Sequence, residues 1–148
     1  MGRCLIIATV WLCPFCAHTQ KLPCTNAESR RAGDEAVKLR SWDAIYRSYK
    51  LCGRCDNGYI GEGYSESVAR ILVEHWGTLP RLAKLANSDA GFRRFVLGHV
   101  DATLDMKDVG RIRTKATDIC PQNLRSLCAD LKKQADAALE ENPYRRQK

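Results

Sequence analysis

Apolar residues recur three or four positions apart through most of the chain, which is the signature of helices with one buried face. Leu39, Trp42, Ile45, Tyr46 and Tyr49 make the first such stripe, ending near Lys50. Val68, Ile71, Leu72, His75 and Trp76 make the second, with Gly77 as a stop signal and Thr78 and Pro80 as a fresh start. Leu79, Leu82, Ala83 and Ala86 line a short helix. Phe92, Phe95, Val96, His99, Val100 and Thr103 line another, capped by Ser88 or Asp89. Asp105 opens a helix through Met106, Val109, Ile112 and Ala116. The last runs through Leu124, Leu127, Cys128, Leu131, Ala135 and Ala138. No window alternates with period two. The pattern predicts an all-α protein: one domain over 20–140, a helical bundle or orthogonal array of five to six helices with disulfide support, then a flexible tail over 141–148.

Two stretches break the rhythm. Residues 20–35 are polar and read as a flexible lead-in followed by the start of a helix. From Cys52 to Gly63, four glycines and the Asn57-Gly58 pair predict a loop, after which Ser65 or a neighbour caps the next helix.

The start of the chain reads differently again. Arg3 precedes an apolar run from Cys4 to Cys16, broken by Thr9 and Pro14, and Ala17-His18-Thr19 places small residues before Gln20. This is the layout of a signal peptide over 1–19, and the run is shorter than the roughly 20 apolar residues that span a bilayer. Export to an oxidising compartment, the periplasm, turns the cysteines into disulfide candidates rather than metal ligands. Of the eight, Cys24, Cys52, Cys55, Cys120 and Cys128 remain after such cleavage. Five is odd, so at least one thiol is free or intermolecular. Cys120 and Cys128 are the expected pair: a continuous helix would hold them about 12 Å apart, but Pro121 lets the chain double back. A Cys24–Cys52 bridge is opposed by the helix between them. Cys52 with Cys55, or Cys55 with a distant partner, both stay open.

Charge and motifs narrow the chemistry. The formal net charge is +7. The basic residues are scattered opposite the apolar stripes, without the dense patch that nucleic-acid binding needs. Cys52-Gly53-Arg54-Cys55 is a CxxC, yet it lacks the strand-to-helix setting of redox enzymes and is followed by Asp56 rather than a haem-ligating His. A four-thiolate zinc site would need closer spacing than Cys120 to Cys128 offers. His75 and His99 lie on apolar stripes and read as packed residues, with no motif pairing either to a nucleophile. No catalytic residue, cofactor or metal is predicted. The glycine-rich segment is the expected contact surface, through Asp56, Asn57, Tyr59, Glu62, Tyr64, Ser65 and Glu66, because tyrosines on a constrained loop give contact area at low entropic cost.

The run from Cys55-Asp56-Asn57-Gly58 through Glu62-Gly63-Tyr64-Ser65-Glu66-Ser67 to Phe95-Val96-Leu97-Gly98-His99-Val100-Asp101-Ala102-Thr103, with Cys120-Pro121 and Cys128, resembles bacterial periplasmic immunity proteins against type VI secretion amidase effectors. The likeness covers about residues 50–130 as a general pattern. It implies a non-enzymatic helical inhibitor whose partner is a cognate papain-like amidase, blocked at its cleft. It also implies a basic surface facing an acidic effector surface. Neither nucleic acid nor stable membrane insertion is expected, and homodimerisation is left open. The rival reading is another exported helical binder: a lysozyme inhibitor, a chaperone or an envelope adaptor.

Overall fold

The computed structural model describes residues 23–141. The expected signal peptide and all of the tail but Glu141 lie outside them. Seven α-helices and no strand occur among the described residues: α1 (Asn26–Ala36), α2 (Trp42–Cys52), α3 (Gly58–Glu74), α4 (Leu79–Ser88), α5 (Ala90–Gly98), α6 (Met106–Asp118) and α7 (Arg125–Glu141). Short 3-10 turns join α2 to α3, α3 to α4 and α6 to α7. None of the described helices is long and apolar enough to cross a membrane.

The helix starts follow local chemistry. Thr25 and Glu28 form a reciprocal capping box on α1, while Ser41, Asp89 and Asp105 cap α2, α5 and α6 by accepting from backbone N–H groups. The expected stripes then meet in one main core, where Trp42, Ile45, Ile71, Leu72, Leu82, Phe92, Val96, Ile112 and Leu131 are almost fully buried. Truncating such a side chain to alanine costs about 2–5 kcal/mol. The two large indoles are also tied: Trp42 Nε1 donates to Thr78 Oγ1 at 2.9 Å, and Trp76 Nε1 donates to the Ile119 carbonyl at 3.2 Å, where α6 ends. α6 and α7 lie along each other, clipped by Cys120–Cys128, the expected bridge.

A second, smaller cluster joins Ala32, Ala36, Cys52, Cys55, Ile60 and Tyr64 under α1. Phe95 packs against both clusters and links them. Here the expectations need correcting. Residues 58–66 are not a loop. They are the first turns of α3, with Asn57 at the N-cap position. Ile60, Tyr64, Val68 and Ile71 continue one buried stripe backwards into the glycine-rich segment, and burying it outweighs the poor helix propensity of glycine. Gly63 gives α1 room to cross closely: a Cβ there would lie 3.0 Å from Ala36 Cβ and 3.2 Å from the Val37 nitrogen. Gly58 takes a positive φ of 47° at the turn into the helix.

The remaining differences are smaller. The helix start expected within 20–35 falls at Asn26, but that helix ends at Ala36 as a separate α1, and Leu39 lies between it and α2. The α5 helix stops at Gly98, so His99 to Thr103 belong to the α5–α6 connection, and His75 is exposed at the end of α3. Cys55 bridges to Cys24 with Cα atoms 5.1 Å apart, and the Cys52 thiol is free and buried. The pairing left open for Cys52 is therefore not made. With Cys55, Cys120 and Cys128 all in disulfides, the four-thiolate set is not available either.

Candidate functional site

The start of α3 sorts the seven expected contact residues into two groups. Asn57, Tyr59, Glu62 and Glu66 are exposed, and Tyr59 keeps 63% of its surface. Positions 59, 62 and 66 are three and four apart, so they share one solvent-facing ridge. Asp56, just before the helix, is exposed as a residue but reaches inward with its carboxylate. Tyr64 and Ser65 are withdrawn from the contact set. Tyr64 is fully buried, its hydroxyl 2.8 Å from Ser48 Oγ, and burial pushes its phenol pKa upward. Ser65 is 2% exposed in the middle of α3, so it caps nothing.

Ser65 instead belongs to a polar cluster that sequence spacing does not announce. Its Oγ lies 3.0 Å from His99 Nδ1 and 3.0 Å from Asp101 Oδ2, while His99 Nε2 lies 3.2 Å from Asp56 Oδ2. The partners are 34 and 36 residues away from Ser65, with no local signature. His99 is 6% exposed and held by aromatic edges: the Phe95 ring centroid is 4.4 Å away and that of Tyr64 is 5.6 Å away. A serine, a histidine and an aspartate in series invite comparison with a hydrolytic triad. The Ser65 hydroxyl, however, is buried and shared with the Asp101 carboxylate. Its backbone N–H belongs to the α3 ladder and is not free to serve an oxyanion. What the cluster can do is join three segments: the junction before α3, α3 itself and the α5–α6 connection.

Two open depressions flank the ridge. One, of about 310 Å³, is lined by Asp56, Gly61, Glu62, Ser65, His99 and Asp101. Its neighbour, of about 380 Å³, has Ala69, Val73 and Leu104 among its lining, with Glu66, Asp105 and Asp108 beside them; Thr103 belongs to both. Several carboxylates elsewhere are paired in place: Arg54 with Glu28, Arg81 with Asp43, Lys50 with Asp89, and Arg113 and Lys132 with Asp136. Among the described residues, no Lys or Arg forms an ion pair with Glu62, Glu66, Glu74, Asp101 or Asp105. Glu62 and Glu66 thus stand on the ridge as unpaired carboxylates, with Arg70 and Arg111 also lining the second depression. The expected contact residues lie among charges of both signs, not on the basic surface that the resemblance implied would meet the partner. Among the described residues no group of three His, Cys, Asp or Glu side chains is placed to hold a metal ion.

No protein-family model, curated protein or solved structure matches the chain.

Proposed function

We propose that the chain is a periplasmic immunity protein that binds a peptidoglycan-cleaving amidase effector of a type VI secretion system and blocks its active-site cleft. The observation that carries the reading is the α3 ridge: Asn57, Tyr59, Glu62 and Glu66 project from a helix start that a disulfide and the His99 cluster hold in place. A ridge fixed in this way loses little entropy on binding, and its unpaired carboxylates favour a partner with basic groups beside its cleft. The resemblance over residues 50–130 supplies the class of partner. The two disulfides are compatible with an oxidising compartment.

The test is capture of the partner by the tagged, exported protein from type VI-active lysates, with mass spectrometry of what is retained. The expected result is a stoichiometric amidase whose digestion of peptidoglycan stops in the complex. Tyr59→Ala and Glu62→Lys should each weaken that complex tenfold or more, about 1.4 kcal/mol, without altering the fold. Retention of a lysozyme, or of envelope housekeeping proteins alone, would replace this reading with that of another exported binder.

A further inference from the structure

The binding reading uses the Cys24–Cys55 bridge as a tether and leaves the buried Cys52 thiol without a role. Cys52 ends α2 and Cys55 ends the 3-10 turn that follows. Side chains three residues apart eclipse in 3-10 geometry, so these two lie on one side of the turn. Both belong to the small buried cluster, at 3% and 0% exposure. The third cysteine of this group, Cys24, is already bonded to Cys55. The cover over all of them is α1, whose two buried residues, Ala32 and Ala36, belong to the same cluster. A free thiol, a disulfide and the helix which that disulfide tethers therefore meet in one place.

We propose that Cys24, Cys52 and Cys55 form a disulfide switch, in which unseating α1 lets Cys52 attack Cys55, closing a Cys52–Cys55 bridge and releasing Cys24. The step is thiol–disulfide exchange. Cys52 gives its proton to solvent, and its thiolate forms the new bond to Cys55 Sγ. The Cys24–Cys55 bond breaks, and its electron pair leaves on the Cys24 sulfur, which takes up a proton. One disulfide is consumed and one is made, so no oxidant or reductant is needed. While α1 is seated, burial pushes the Cys52 thiol pKa upward and keeps it protonated and unreactive. The product differs in kind from the starting form. The long tether across 31 residues is replaced by one within a single turn, and α1 is left with no disulfide to hold it.

Trypsin separates the three cysteines onto peptides 22–30, 51–54 and 55–70, which makes the exchange directly readable. The purified full chain is held at pH about 8, where thiolate is available, over a range of urea below the loss of helical circular dichroism. It is then quenched, alkylated and mapped. At zero urea, 22–30 should be joined to 55–70 with the label on 51–54. As urea rises, 51–54 should become joined to 55–70 and the label should move to 22–30. Cys52→Ser should abolish the conversion. Cys24→Ser, oxidised in air, should close Cys52–Cys55 and show no label on either peptide. The proposal fails if the label stays on 51–54 until the helices melt, or if it moves to 55–70. It fails equally if conversion persists in Cys52→Ser, or if Cys24→Ser keeps both thiols.

Discussion

Ser48 and Tyr64 bring their hydroxyls together 2.8 Å apart inside the small cluster, with 4% and 0% of their surfaces exposed. Each is the other's partner, so removing one strands the other in a dry place. Tyr64→Phe and Ser48→Ala should each cost about 1–3 kcal/mol. The double variant should cost clearly less than the sum, because no unsatisfied hydroxyl then remains. Urea melts of the four proteins measure this, and strict additivity would show the pair to be uncoupled. The role of Tyr64 was hidden in the sequence by its neighbours. Gly58, Gly61 and Gly63 gave the segment the composition of a loop, and a tyrosine on a loop reads as a contact residue. The stripe of Ile60, Tyr64, Val68 and Ile71 was present in the same letters, but only the packing of α1 decides that it is used. The Ser65–His99–Asp101 cluster was out of reach altogether, since its members meet only after α3 and the α5–α6 connection have packed.

At the scale of elements, α1 differs from the other helices. It buries two alanines, the Tyr59 ring lies against Gly33, Glu28 pairs with Arg54, and the Ser67 hydroxyl donates to the Ala36 carbonyl at 2.6 Å. The Cys24–Cys55 bridge adds a covalent tie beside its N-terminus. In the chain-entropy picture, closing 31 residues is worth about 4 kcal/mol, against about 2.5 kcal/mol for the eight-residue Cys120–Cys128 clip. Cys24→Ser should raise amide hydrogen exchange across 26–36 while α6 and α7 keep their protection. A uniform rise along the chain would instead mean that α1 unfolds only with the whole domain. The later helices were legible in sequence because their signals agree: Asp89 and Asp105 cap them where expected, and Phe92, Val96, Val109 and Ile112 form apolar stripes, although that of α5 was carried past Gly98 to His99 and Thr103. For α1 there was little to read, because alanine contributes no visible stripe.

For the whole molecule, four carboxyl groups held below their ordinary values make stability depend on pH in acid. Glu28 is held below its ordinary 4.5 by hydrogen bonds from Thr25, and Asp43 below 3.8 by Arg81. Asp89 is held below 3.8 by the Phe92 N–H, and Asp136 by Lys132. Each binds a proton more weakly folded than unfolded. The stability it contributes is complete above the ordinary value and is lost as pH falls through the folded one. The urea midpoint should therefore be nearly level between about pH 5 and 7 as far as these groups act, and should drop below about pH 4. Salt should shrink the drop, since the Asp43 and Asp136 pairs are solvent-exposed. A midpoint that does not move in acid would deny these contacts any role. The gathering of unpaired carboxylates along α3 has a further effect, one of orientation. Lys and Arg barely outnumber Asp and Glu among the described residues, so the carboxylates of Glu62 and Glu66, which no Lys or Arg pairs with, stand out on a body close to neutral. A partner with basic groups is drawn to them before it touches, and so arrives with Tyr59 already in front of it, like a boat brought round by its mooring line.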